Sequence, residues 1–283
     1  MIPIHVMPEM PTQAFLDALQ QQGFAGEIDT SAAQRAVYAT DNSIYERPPQ
    51  AIVCPQHVAD LQVLTRLLAE ERFRGVVVTA RGGGTGTNGQ SLTEGIVVDV
   101  SRHMNHILSI DVAKRQVRVQ AGVVKDQLNR ALKPHGLFFA PELSTSNRAT
   151  IGGMVNTDAS GQGSCTYGKT RDHVLALKTV LWGGEVLESQ ALPEQTWRND
   201  ITSLSASIQQ RFYALYELVS EHQAAIQAAF PKLNRCLTGY DLPHVLEQGQ
   251  FNLNSVLCGA EGSLGLVAEA TLNVLPIPTE RVL

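Results

Sequence analysis

The sequence predicts an α+β fold in two lobes, a small α/β lobe followed by a larger mixed α+β lobe, with a ligand crevice between them. Three observations carry that expectation. A strand–helix–strand pattern over residues 51–80 runs straight into a glycine-rich stretch. Antiparallel strand pairs and a hairpin signal dominate from residue 107 onward. Segments of small residues recur in both halves. At 283 residues the chain can form one large domain or two closely joined lobes around a sizeable core.

The elements follow in order. Thr12 is expected to cap a helix that carries Phe15, Leu16 and Leu19 on one face and stops at Gly23. Residues 1–42 are read as an N-terminal helical extension. Pro48 and Pro49 break the chain, and residues 51–54 form a short strand. Val58, Leu61, Leu64, Leu67 and Leu68 then mark an amphipathic helix leading into a strand at 76–80. After the glycine stretch comes a short polar link, residues 90–95, and a β-branched strand at 96–100. Residues 107–110 and 117–121 pair as strands, and Gly122 turns into a helix with Val124, Leu128 and Leu132. Gly183-Gly184 joins the strands 174–182 and 185–187 in a hairpin. Residues 204–230 are mostly helical, with Phe212, Leu215, Tyr216 and Val219 on one face, and 266–275 supply a closing strand.

The glycine stretch is the most informative. Gly82, Gly83, Gly84 and Gly86 put four glycines within five positions, where they offer no side chain to bury. They give backbone freedom and close approach, the means by which successive amides curl around an anion. A glycine-rich surface turn is the plainer alternative, and Thr85, Thr87 and Asn88 favour the phosphate cradle by adding donors. Gly84, Gly86 and Gly89 match G-x-G-x-x-G, but a Rossmann loop must open a helix, and residues 90–95 leave no room for one. No Gly-Lys-Ser/Thr follows, so a Walker loop is excluded. The expected site is a strand–loop–strand cradle without a helix dipole.

A second constellation joins Pro141-Glu142-Leu143-Ser144-Thr145, Ala149-Thr150-Ile151-Gly152-Gly153, Asp158-Ala159-Ser160-Gly161 and Tyr167-Gly168. A third runs from Gly259 to Val267. Together they describe a long, largely apolar slot where backbone passes close to a ligand. On these ordered motifs, from about Ser43 to Pro276, the chain resembles the FAD-linked oxidoreductases of the vanillyl-alcohol oxidase and p-cresol methylhydroxylase type. Within them it is most similar to the FAD-dependent D-2-hydroxyacid dehydrogenases.

The resemblance implies a two-lobed FAD-binding domain of the p-cresol methylhydroxylase type over residues 43–276, with lobes at about 43–105 and 106–276 and FAD between them. It implies that Arg81, Gly82, Gly83, Gly84, Thr85, Gly86, Thr87 and Asn88, with Ser91, wrap the FAD pyrophosphate. Pro141, Ser144, Thr145, Thr150, Gly152 and Gly153 would line the flavin and phosphate side. Ala159, Ser160, Gly161, Tyr167 and Gly168 would continue the slot, and Gly262, Leu266 and Val267 would present backbone to it. Asp158 stands where the family often has Asn. A carboxylate is unwelcome beside a phosphate, so Asp158 is expected to point away or cap a turn. Some members hold FAD covalently through a His in or near the first loop; no His, Cys or Tyr lies between Arg81 and Ser91, so the FAD is expected to be non-covalent.

The implied activity is oxidation of a D-2-hydroxyacid, of the D-2-hydroxyglutarate or D-lactate kind, to the 2-oxoacid by hydride transfer to flavin N5. That chemistry needs a base for the hydroxyl proton and a cationic clamp for the carboxylate. The histidines and arginines here form no such cluster, and the catalytic residues are not identified. In the resembling family these groups, and a metal site in several members, come from a cap domain. Residues 277–283 read as the start of a linker to such a cap. The expected partners are the small hydroxyacid and an electron acceptor or C-terminal cap. The alternative is a non-catalytic FAD-binding electron-transfer subunit, as in the FAD domains of molybdenum hydroxylases.

Composition excludes other classes. A net charge of −5 without a Lys/Arg run argues against nucleic acid. No apolar stretch is long enough to span a bilayer, and the N-terminus lacks the pattern of a signal peptide. The expected location is cytoplasmic, with any contact to the inner membrane made through an electron acceptor. Cys54, Cys165, Cys236 and Cys258 are scattered without a C-x-x-C pair, which leaves no zinc or iron–sulfur pattern. His103 and His106 read as solvated turn residues, and no metal is expected.

Overall fold

The structure, a computed structural model, describes residues 10–233 and 239–279. Helix α1 (Met10–Gln21) buries Phe15, Leu16, Ala18 and Leu19, and the chain leaves it through Gly23 at φ +83°. Thr12 is buried inside this helix and does not cap it, because the helix already runs from Met10 with Pro11 in its first turn, where proline is tolerated. Strand β1 (Glu27–Asp29) and helix α2 (Ala32–Tyr38) follow, the latter capped by the Ser31 side chain.

Strands β2 (Ala51–Cys54), β3 (Val78–Arg81) and β4 (Ile96–Asp99) complete a small sheet in the order β1-β2-β4-β3. Strands β2 and β3 both run parallel to β4, so the chain must cross over between β2 and β3, and α3 (Val58–Leu68) makes that connection. Strand β3 begins at Val78, later than the predicted 76, and ends on Arg81, which sends the glycine loop straight off the strand end. No helix follows the loop, as expected.

The large lobe begins with β5 (Ile107–Asp111), β6 (Gln116–Gln120) and α4 (Lys125–Leu132). Then come β7 (Leu137–Phe138), α5 (Ile151–Asn156), α6 (Ser164–Tyr167) and the hairpin β8 (Val174–Leu181) with β9 (Val186–Pro193). Helices α7 (Trp197–Asp200), α8 (Ala206–Glu221) and α9 (Gln223–Ala229) precede β10 (Leu246–Glu247), β11 (Gln250–Asn252) and α10 (Asn254–Leu257). The last strands are β12 (Gly265–Asn273) and β13 (Leu275–Pro276), which pairs with β7. The seven-stranded sheet has the order β10-β11-β9-β8-β12-β6-β5 with antiparallel pairing throughout. Its helical layer closes on Trp197, whose ring meets Phe212, Tyr216 and Phe251.

Two cores result, and β12 serves both. Val267, Ala270 and Leu272 join the large-lobe core. Leu266 and Ala268 join a second core with Val180 of β8 and with Phe15, Leu19, Val53, Leu61, Leu64 and Val98. Helix α1 is therefore built into the small lobe, with Phe15 meeting Phe73 edge-on at 5.3 Å between ring centroids. Phe15→Ala should lower the unfolding free energy by about 3–5 kcal/mol in urea denaturation, the cost of a large core cavity. A loss below about 1 kcal/mol, the scale of ordinary surface changes, would separate α1 from the cooperative core.

Candidate functional site

The two lobes enclose a crevice of about 960 Å³. One wall is the loop leaving β3, and it brings Arg81, Gly82, Gly83, Gly84, Thr85, Gly86, Thr87, Asn88 and Ser91 together. A second wall is built by α5 and its flanks, with Thr145, Thr150, Gly152, Gly153, Ala159 and Ser160. Gly262, Leu266 and Val267 form the third. Five predicted residues do not line the crevice: Pro141, Ser144, Gly161, Tyr167 and Gly168. Pro141 is buried and Ser144 exposed elsewhere. Gly161 is pressed against the Glu142 carbonyl. Tyr167 meets Phe138 edge-on, and its carbonyl accepts from His173 Nε2 at 2.6 Å. Gly168, at φ +74°, ends α6. Gln90, Asn156, Thr157, Phe230 and Tyr240 line the crevice without having been picked out in the sequence.

The loop takes its shape from contacts on its far side. A Cβ on Gly82 would strike the Thr150 side chain, and one on Gly83 would strike the Arg148 carbonyl. These two glycines let the lobes touch, so the close approach that glycine permits serves contact between protein segments here. Gly84 sits at φ +60°, and the Arg81 guanidinium lies 2.6 Å from where its Cβ would stand.

Arg81 itself faces a strap formed by residues 38–45. Its Nη2 donates to the Thr40 carbonyl at 2.8 Å, and its guanidinium carbon lies 5.1 Å from the Tyr38 ring centroid. The Asn42 amide donates to the Gly84 carbonyl at 3.1 Å, and Ser91 Oγ donates to Asp41 at 2.9 Å. The strap so pins both ends of the loop; its residues 38–42 lie in the stretch read from sequence as an extension, and 43–45 open the small lobe. Burial raises the Asp41 carboxyl, but hydrogen bonds from Ser43 and Ser91 outweigh it and hold the group below the usual carboxylate range. Tyr38 donates to Asp99 at 2.5 Å, and burial together with that bond pushes its hydroxyl pKa up.

The residues present fit a pyrophosphate. Among the described residues, the amides of Gly83, Gly84, Thr85, Gly86 and Thr87 donate to no protein acceptor. The Asn88 amide is held by Gln90 Oε1 at 3.0 Å, with Gln90 folded against Gly86. Successive unbonded amides on a concave surface form an anion cradle. The first-turn amides of α5 are already engaged: Ile151 donates to Val123 at 2.8 Å, Gly152 to Ala121 at 2.7 Å and Gly153 to Thr150 Oγ1 at 3.3 Å. Phosphate donors must therefore come from the loop. Asp158, at φ +42°, turns its carboxylate to Lys169 Nζ at 2.7 Å and to the Arg171 amide at 3.0 Å, capping the turn that follows. The third wall is docked on α5 by Asn156, whose carbonyl accepts from Glu261 at 3.0 Å and whose Oδ1 accepts from Gly262 at 3.1 Å. His103 bonds Glu27 and His106 bonds Gln120, away from the crevice.

The family described as FAD binding domain matches residues 49–190. A D-2-hydroxyglutarate dehydrogenase of Pseudomonas putida is 62% identical over 280 residues, 98% of this chain and 28% of that protein. A D-2-hydroxyglutarate dehydrogenase of Pantoea ananatis is 53% identical over 270 residues, 94% of this chain and 26% of that protein. The chain spans about a quarter of the length of these curated relatives. Among solved structures, an alkyldihydroxyacetonephosphate synthase superposes with a TM-score of 0.67 over 98% of this chain and 46% of that one; at 20% identity this shows a common fold.

Gly84→Val should abolish or severely weaken FAD uptake in a folded protein, whereas Thr85→Val, which removes one hydroxyl, should cost about 1–2 kcal/mol in a flavin titration. Equal occupancy in wild type and Gly84→Val would overturn the loop assignment. Asp41, with its lowered folded pKa, contributes stability that is complete above its unfolded value of about 3.9. That contribution is lost as pH falls through the lower folded value, so Asp41→Asn should flatten the acid limb of a Tm-versus-pH series.

Proposed function

The chain belongs to the FAD binding domain family, and on that premise we propose that it is the cofactor-holding portion of a flavin-dependent dehydrogenase. Its substrate would be a D-2-hydroxyacid, oxidised to the 2-oxoacid. The observation that carries this reading is the run of unbonded amides over Gly83, Gly84, Thr85, Gly86 and Thr87, set against a crevice of about 960 Å³. The substrate class is supported by the 62% identity to a D-2-hydroxyglutarate dehydrogenase. When bound, FAD supplies the hydride acceptor. The chain's own residues bind the phosphates through loop amides and the hydroxyls of Thr85 and Thr87, and the Asp158 carboxylate at the crevice wall is neutralised by Lys169.

The base and the carboxylate clamp are assigned to the part of such a protein that this chain does not span. Cations near the crevice support that assignment by being already engaged. Lys169 pairs with Asp158, Arg171 pairs with Asp241, and His244 Nδ1 lies 2.7 Å from Asp241. The proposed lobes are residues 43–105 and 106–276, with the stretch before them packed onto the small lobe by α1 and by the strap. Of the proposed linker at 277–283, residues 280–283 lie outside the described residues. Among the described residues no helix is long and apolar enough to cross a membrane. The cytoplasm is the proposed location, with an electron acceptor as the proposed partner.

Purified chain should release its FAD intact on acid or heat denaturation, because the loop holds no His, Cys or Tyr between Arg81 and Ser91. Flavin that stays with the denatured polypeptide would contradict non-covalent binding. Dye reduction with D-2-hydroxyglutarate and D-lactate should be strong for a polypeptide of the relatives' length and weak or nil for this chain alone. The missing base by itself accounts for about 10²–10⁴-fold. Equal rates would place the catalytic groups among residues 1–283.

A further inference from the structure

Tyr240 is held still and yet left open. Its side chain lines the crevice, and the residue is 42% exposed. Ser263 Oγ spends its single proton on the Ala260 carbonyl at 2.6 Å, so at 2.6 Å from the Tyr240 oxygen it must accept the phenol's proton. The Ser263 carbonyl is fixed in turn by Trp182 Nε1 at 2.8 Å. On one flank the Gly239 carbonyl packs against Gly259, at a spacing that only glycine allows. On the other, Asp241 is ion-paired with Arg171, bonded to His244 and joined through its amide to Ser255. Among the described residues no aromatic ring packs on Tyr240.

An aromatic ring tethered at its hydroxyl and clamped on both sides of its backbone has already lost its conformational freedom, so a planar ligand can cover its face at little further entropic cost. Phe230 lines the same crevice and adds apolar surface. The glycine loop, by contrast, offers amides and hydroxyls. The two chemistries match the two kinds of group in a dinucleotide, charged phosphates and flat rings.

We propose that Tyr240 is the stacking platform for one ring system of the dinucleotide, with Ser263 anchoring the far end of its side chain. The proposal rests on the FAD reading and adds to it a binding residue outside the glycine segments. Stacking of a base on an aromatic side chain tolerates any planar heterocycle, so adenine and isoalloxazine share the required chemistry.

The test is FAD titration of the 283-residue chain and its variants, followed by flavin fluorescence, with circular dichroism to confirm folding. Tyr240→Leu should raise the FAD Kd by about tenfold or more, and Tyr240→Phe, which keeps the ring, should stay within about threefold of wild type. Titrations with ADP and with FMN identify the stacked ring: the ligand that suffers the same loss in Tyr240→Leu carries it. An unchanged FAD Kd in folded Tyr240→Leu overturns the proposal and leaves the FAD reading standing. So does a loss equally large in Tyr240→Phe, or one seen with FAD but with neither ADP nor FMN. A wild-type chain that takes up no FAD overturns both.

Discussion

The approach of Gly82 and Gly83 to Thr150 and the Arg148 carbonyl is the contact on which the rest of the site depends. At Gly83 it brings backbone from the small lobe against backbone from the large lobe, and at Gly82 it makes room for the Thr150 side chain. A methyl group at either position would have to displace a neighbour, and at Gly83 that neighbour is main chain. Main chain yields little in a close-packed interior. The contact sets the glycine loop against the segment that opens α5, where the Thr150 hydroxyl also receives the Gly153 amide.

Around that contact the protein divides its polar groups into those it uses and those it leaves. The strap uses the loop's flanks: Arg81 goes to Thr40, Ser91 to Asp41 and the Gly84 carbonyl to Asn42. The amides in between are left unbonded, because satisfying them internally would close the cradle. Arg81 illustrates the division. Read from the sequence as a phosphate ligand, it lines the crevice while its fork of donors reaches the Tyr38 and Thr40 carbonyls and so holds the loop's shape.

Much of this was legible in the sequence where one local rule dominates. Helix α3 and the β8–β9 hairpin follow apolar periodicity and a Gly-Gly turn, and the absence of a helix after Gly89 follows from the length of the polar link. The glycine wall of the crevice was legible for the same reason. What escaped was set by tertiary contact. Strand β1 and helix α2 are too short to show a period, and α5 was hidden by Gly152 and Gly153, poor helix formers that the Thr150 cap and the packing of Ile151, Met154 and Val155 override. Pro141, Gly161 and Gly168 look like slot residues because small residues that serve packing or a turn have the same composition as those that face a ligand. Asn156 carried no signal at all, since its partners lie over a hundred positions away.

Strand β12 lies inside the large sheet, between β8 and β6, although it is among the last elements in the chain. The hairpins β5–β6 and β8–β9 need only their own residues to pair, and within the sheet β12 is the strand that joins them. Leu266 and Ala268 of the same strand also close the small-lobe core. During synthesis the ribosome therefore displays both halves, each with an apolar face uncovered, until the residues around 265–273 have emerged. The chain has little to gain from folding piecemeal: the strand that completes the third wall of the crevice is also the one that joins the two cores, so a closed cofactor site and a finished fold arrive in the same event.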